Sequence, residues 1–424
     1  MPHQFPSKRH IVRPFAAKLT ALSLCLAQLG TAHAACSSYA LPGINLSGGE
    51  FTPNGTQGYG FDYIYPQQAE VDLMKTLGLK LMRVPFLWER VQATASGPLI
   101  ETEMQRIDAV IALATANGMT VVLDVHNYGA YHGVSLGNAA SPPAALPELW
   151  RRIAARYANN ANVVFGMMNE PNDMTASVWA GIAQQTLAAI RAAGARNLVM
   201  IPGTIWDGAQ SWFNVAGTLS NADSLLPIAR SDSNVVFEVH QYFDTGYSGT
   251  ADTCTSAASA IAALGTIGTW ARTNHVKLFL GEFGVSQRSE CLTALDNALG
   301  TLENDKDVWY GWTYWTAGAW WGTYMFNVES ASGQAAQGAV LKRRAATLNA
   351  ATCPVTTPPA AAPAPVAPPA PVSAPAPVPT PAPVPTPAPV PVPAPVASPA
   401  PTPTPAPVVT RPTPRRGFHM WRWV

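Results

Sequence analysis

Along most of the chain, short runs of β-branched and apolar residues alternate with longer amphipathic stretches. The short runs are "GINLSG" from 43, "LKLMRVPF" from 79, "TVVLDVHN" from 120, "NVVFGMMNE" from 162, "NLVMIPG" from 197, "NVVFEVHQY" from 234, "VKLFLGEFG" from 276 and "WYGWTYW" from 309. Each reads as a strand. Between them, Met104, Ile107, Ile111 and Ala114 fall at spacings of three and four, which keeps one helical face apolar, and Gly118 is placed to end the helix. Leu292, Leu295, Leu299 and Leu302 repeat the pattern. Eight strand-then-helix units that close on themselves predict an α/β fold, a (β/α)8 barrel. An open doubly wound sheet would have fewer strands and a glycine-rich phosphate turn. No G-x-G-x-x-G follows the first run and no P-loop occurs in the sequence.

Almost every run stays apolar until its carboxyl end and then turns polar or aromatic. Arg83, Asp124 with His126, Asn169 with Glu170, His240 with Tyr242, Glu282 and Trp315 stand at these ends. In a barrel all of them face one rim, where this architecture builds its active sites. Glu170 ends the fourth strand and Glu282 the seventh. Two carboxyl groups across a rim can cleave a glycosidic bond: one, protonated, donates to the leaving oxygen, and the other, ionised, attacks the anomeric carbon. Taken singly, each residue has an ordinary reading, Glu as a cap or ion-pair member, His126 as a core residue and Arg83 as packing. Their joint placement carries the inference.

Aromatic residues add a second signal. Trp88, Trp206, Trp212, Trp315, Trp320 and Trp321, with Tyr128 and Tyr131, lie at or just after strand ends. Sugars stack their C–H faces on such rings, although any one Trp is as well explained by the core. A groove lined in this way suits a polymer gripped along its length and cut internally.

At these residues the chain resembles glycoside hydrolase family 5, the retaining (β/α)8 cellulases, over about residues 43 to 345. "RVPF", "LDVHNYGAYHG", "MNEP", "HQYFD", "GEFG" and "TYWTAGAWWG" occur in the family's order. The resemblance implies Glu170 as acid/base and Glu282 as nucleophile. Arg83 and Tyr242 would orient the nucleophile, and Asn169 would bind the sugar 2-hydroxyl. His126 and His240 would complete the polar shell, with Trp315 as the floor; the aromatic pattern, apart from the resemblance, adds Trp88 and Trp206 as expected substrate contacts. The resemblance implies no cofactor and no metal, a β-1,4-glucan as partner, and two carboxyl groups about 5 to 5.5 Å apart. An acidic residue expected after "WWG" is replaced by Thr323. Family motifs fix the reaction more firmly than the sugar, so mannan, xyloglucan and lichenan remain alternative polymers. A non-catalytic carbohydrate-binding protein would lack one of the two glutamates, and both are present.

Composition divides the 424 residues unevenly. Lys8, Arg9, Arg13 and Lys18 precede an apolar stretch from Leu19 to Leu29, and Ala32-His33-Ala34 follows with small residues at the positions a signal peptidase reads. Residues 1–34 are therefore expected to be a secretory signal, leaving an extracellular protein. The apolar run is too short for a membrane anchor, and a lipoprotein signal at Cys25 or Cys36 lacks its usual preceding residues. Residues 35–353 form the expected catalytic domain. Residues 354–414 are a Pro/Ala/Val/Thr-rich linker, since proline removes donors and fixes φ, and residues 415–424, "RRGFHMWRWV", are too short to fold alone. The linker composition also admits a role as a protein-recognition segment.

A formal net charge of +1, with no basic run in the globular part, is not the footprint of a nucleic-acid binder. The expected state is a monomer with no stable membrane association. Of five cysteines, Cys25 falls in the signal. The other four allow three pairings, of which Cys254 with Cys291 and Cys36 with Cys353 are favoured; their spacing fits no compact zinc pattern.

Overall fold

Each of the eight apolar runs forms a strand, and each strand is followed by a helix. The strands are Leu41–Leu46 (β1), Leu81–Phe86 (β2), Thr120–Val125 (β3), Val163–Gly166 (β4), Val199–Pro202 (β5), Val235–His240 (β6), Leu278–Glu282 (β7) and Trp309–Ala317 (β8). The helices are Gln68–Leu77 (α1), Glu101–Ala116 (α2), Ala145–Tyr157 (α3), Ala176–Ala192 (α4), Asn221–Ser231 (α5), Ala257–Asn274 (α6), Ser289–Asn304 (α7) and Ala336–Ala351 (α8). The computed structural model describes residues 41–53, 58–142, 144–330 and 333–351. The expected signal stretch, the expected Cys36–Cys353 pair, the proline-rich tract and the terminal decapeptide lie outside them.

The strands close into one barrel in the order β1-β8-β7-β6-β5-β4-β3-β2, every neighbouring pair parallel. Strand side chains alternate between the barrel interior and the helices. Leu81, Val122, Val164, Met200, Val236 and Phe279 pack together as an apolar plug. Two residues further along the same strands come Arg83, Asp124, Gly166, Glu238 and Gly281, so the interior turns polar one layer below the carboxyl-end rim. Gly281 is required there: a Cβ at this position would lie 2.2 Å from a Glu238 carboxylate oxygen.

The larger core lies between strands and helices and includes Trp150, Trp179 and Trp309. Two of its indoles also hold strand ends in place. Trp150 Nε1 donates to Met167 O (2.8 Å) just after β4, and Trp179 Nε1 donates to Pro202 O (2.7 Å) at the end of β5. On α2, Met104, Ile107, Ile111 and Ala114 are all buried, and Gly118 follows the helix with φ of 67°. On α7, Leu295, Leu299 and Leu302 are buried, but Leu292 is only partly covered and the buried face begins instead at Cys291. That shift has a cause: Cys291 forms a disulfide with Cys254 (Cα–Cα 5.3 Å), tying the loop after β6 to α7. Among the described residues, no helix is long and apolar enough to cross a membrane.

Candidate active site

Arg83, fully buried inside β2, is the hub of the polar layer. Its Nη1 donates to Asn45 Oδ1 (2.9 Å) and Glu282 Oε1 (2.8 Å), and its Nη2 donates to Asn169 Oδ1 (2.9 Å). Asp124 Oδ1 lies 3.2 Å from Nη2, and Glu238 Oε1 lies 3.0 Å from Nε. One planar guanidinium thus ties β1, β2, β3, β6 and β7 to the segment after β4, a task its fixed fork of donors suits and an ammonium does not. Burial alone would weaken its hold on the proton. Asp124, Glu238 and Glu282 more than reverse this, and the guanidinium stays charged.

Glu282 ends β7, where an irregularity in the β6–β7 pairing sets His240 opposite it. Oε1 accepts from Arg83, and Oε2 accepts from Tyr242 Oη at 3.0 Å. With a donor on each oxygen, the hydrogen-bond pattern is that of an ionised carboxylate. Burial pushes the Glu282 carboxyl above its ordinary value, against the opposing pull of His240 and Arg83. Burial likewise raises the Tyr242 hydroxyl, with Glu282 adding to the effect, so it remains a donor.

Glu170 sits four residues beyond β4 with φ of 42°, a left-handed conformation that is unusual for glutamate. Its side chain is 17% exposed, and Oε1 lies 2.8 Å from His240 Nδ1. One donor atom from each of Glu170, His240 and Glu282 lies within 4.8 Å of the others. Donors this close also meet the spacing of a metal site. Here they are engaged with one another, His240 with Glu170, and Arg83 and Tyr242 with Glu282. Burial would depress the basicity of His240, but Asp207 and Glu282 hold it well above the usual imidazole range.

Of the remaining expected residues, His126, Trp315 and Trp206 line the same mouth. His126 Nδ1 is 2.7 Å from Asp124 Oδ2; burial opposes its protonation, but Asp124 raises its pKa. Trp315, 8% exposed, lies nearly parallel to His126 (ring centroids 5.7 Å apart, 18° between planes) and meets Trp321 edge-on at 5.9 Å. Trp206 stands at the rim, 53% exposed. Trp88 does not belong with it. It is fully buried, with Nε1 donating to Gln92 Oε1 (2.8 Å) and its ring packed on Tyr131 at 4.6 Å, so it offers no face to a ligand. Trp212 is also a core residue, packed on Phe237.

Three contributors are absent from the expected set: Asn45, Asp207 and Glu238. Glu238 had a signal in the sequence, since it lies two residues before His240 and so shares its side of β6. Asn45 had a weaker one, one residue from the end of an apolar strand. Asp207 had none, because it sits in an irregular turn beyond β5.

Fold and site together define a (β/α)8 protein with a two-carboxylate centre of the glycosidase kind. Residues 36–318 match the model of the cellulase family, glycosyl hydrolase family 5. The chain belongs to that family. It is 32% identical over 325 residues to a probable endo-β-1,4-glucanase B of Neosartorya fischeri, covering 75% of this chain and 96% of the relative. Endoglucanase gh5-1 of Neurospora crassa is 33% identical over 294 residues, with 69% and 73% covered. Among solved structures, the endo-β-1,4-glucanase Xac0029 of Xanthomonas axonopodis pv. citri superposes with a TM-score of 0.71 at 38% identity, covering 73% of this chain and 99% of that one. XacCel5A in complex with cellopentaose gives 0.70 at 40% identity, with 72% and 99% covered.

Proposed function

We propose that the protein is a secreted, retaining endo-β-1,4-glucanase that cuts internal bonds of cellulose and soluble β-glucans by double displacement. The observation that carries this reading is the approach of Glu170 and Glu282, one oxygen of each within 4.8 Å, at the mouth of one barrel. Retention needs about 5 to 5.5 Å between the two groups, whereas inversion leaves about 6.5 to 9.5 Å for a water. Glu170, on the more exposed side, protonates the departing glucosyl oxygen. Glu282, held by Arg83 and Tyr242, attacks the anomeric carbon and forms a glycosyl ester. Glu170 then takes a proton from the water that releases the sugar. Asn169, fixed by its bond to Arg83, is placed to meet the 2-hydroxyl, and Trp315 forms the floor.

A β-1,4-glucan substrate is supported by the cellopentaose carried by the 40% identical XacCel5A and by the exposed Trp206. Secretion is supported by the amino-terminal stretch and by the disulfide. The proline-rich tract after 353 acts as a tether, and the working form is a monomer. Carboxymethylcellulose should be hydrolysed faster than galactomannan, with a steep viscosity drop per bond cut. Proton NMR of the earliest product should show the β-anomer; the α-anomer would exclude double displacement.

A further inference from the structure

We propose that Phe61, with Tyr59 beside it, is a distal contact for the glucan, outside the catalytic mouth, on which a sugar of the same polymer stacks. The proposal rests on the reading of the protein as a β-1,4-glucanase. Phe61 is 89% exposed, against 53% for Trp206 and at most 40% for every other aromatic residue among the described ones. Isolated apolar side chains at a surface are ordinary. Phe61 differs in having a second aromatic residue beside it, a fixed backbone beneath it and a run of contacts that joins it to the mouth.

The mounting is a tight turn. Phe61 N and Asp62 N both donate to Gly58 O (3.1 and 2.8 Å), Gly60 N donates to Tyr63 O (2.8 Å), and Gly58 N donates to Asp62 Oδ2 (2.9 Å). Gly60 supplies the left-handed φ of 83° at its centre. Tyr59 anchors the turn to the barrel. Its ring meets Tyr63 edge-on at 5.5 Å, and the Arg106 guanidinium, itself paired with Glu103, lies 4.4 Å from the ring centroid. Tyr59 is still 38% exposed. A ring carried on a fixed backbone loses little freedom when a ligand covers it, as a stacking platform requires.

The turn belongs to the loop from β1 to α1, which leaves the carboxyl end of β1 and so lies on the active-site face of the barrel. Aromatic contacts lead to it from the site. Trp321, edge-on to Trp315, also meets Phe51 edge-on at 5.0 Å. The next residue, Thr52, donates from Oγ1 to Asp62 O at 2.8 Å, directly after Phe61. A polymer seated over Trp315 and running outward on this side therefore meets a second aromatic foothold. The Phe61 ring carries no polar group to select an anion or an amide, and its flat apolar face suits the C–H face of a sugar. Once one segment is held in the mouth, the contact at Phe61 is intramolecular, and it strengthens the hold on the polymer without touching the reacting bond.

The test compares the full chain with Phe61→Ala on carboxymethylcellulose, long enough to cover the turn, and on 2,4-dinitrophenyl β-cellobioside, whose two sugars occupy the mouth alone. The ratio of kcat/KM on the polymer to kcat/KM on the cellobioside is expected to fall about threefold to tenfold, the loss of one stacking contact. Depletion of the Glu282→Gln protein by swollen cellulose reads affinity without turnover. There Phe61→Ala should raise Kd by the same factor, Phe61→Trp should keep the parent value, and Phe61→Leu, apolar but not flat, should behave as Ala does. An unchanged ratio and Kd, a parent-like Leu variant, or an equal loss on both substrates overturns the proposal. So does a change of oligomeric state in Phe61→Ala on ultracentrifugation, which would assign the ring to a second copy of the chain. If the parent neither binds cellulose nor cuts a β-1,4-glucan, the glucanase reading fails and the proposal with it. If the parent does both and Phe61→Ala matches it, only the role of Phe61 fails.

Discussion

Arg83 carries more of the site than either glutamate. It is the cation shared by Asp124, Glu238 and Glu282, and no other arginine or lysine reaches them among the described ion pairs. Replacing Arg83 with Met leaves buried carboxylates uncompensated, a change that costs about 3–5 kcal/mol. The variant should unfold at lower temperature as well as lose activity, and calorimetry beside an activity assay checks both. Tryptophans separate by exposure. Trp206→Ala removes a stacking face and should raise KM severalfold with kcat and stability nearly unchanged. Trp88→Ala should cost about 3–5 kcal/mol of stability through the cavity it leaves. Both indoles follow strand ends, so sequence position placed them at the same height in the barrel. It did not reveal that Trp88 turns under Tyr131 while Trp206 turns to solvent.

At the scale of elements, period-two alternation explains what was legible. The polar residue at the end of each strand marks the rim, and the residue two before it marks the layer below, as Asp124 does for His126 and Glu238 for His240. The rule breaks on β7. Gly281 occupies the lower layer and Glu282 the rim, because the β6–β7 register slips between Val239 and His240, and no residue type announces that slip. The turn at 205–207 was hidden for a similar reason, since its left-handed residues include no glycine. One link between elements is directly testable. The Cys254–Cys291 disulfide spans 37 residues and should stabilise the fold by about 4 kcal/mol through chain entropy. The loop it fastens packs on Tyr242, the hydrogen-bond partner of Glu282, with Gly249 against its ring. Cys254→Ser with Cys291→Ser should therefore lower the melting temperature and, near the new transition, lose activity before global unfolding.

For the whole molecule, the balance of charge around the mouth sets the pH response. Five carboxyl groups, Asp124, Glu170, Asp207, Glu238 and Glu282, surround Arg83, His126 and His240. Burial raises Glu282, so the ionised form that the proposed double displacement requires is lost as pH falls through a value above the ordinary 4.5 for glutamate. The acid limb of kcat/KM should lie correspondingly high, and Tyr242→Phe, which removes one donor from the carboxylate, should move it higher still. A chain ending at residue 356 should keep its kcat/KM on soluble glucan if the proline-rich tract is only a tether.

The central claim is that Glu282 bonds to the sugar while Glu170 serves the leaving oxygen. Incubation with a 2-deoxy-2-fluoro β-cellobioside bearing a good leaving group, followed by peptide mass spectrometry, tests it most directly. The expected result is one fluorocellobiosyl label on Glu282, absent from Glu282→Gln. A label on another residue, or full turnover by Glu282→Gln, would contradict it.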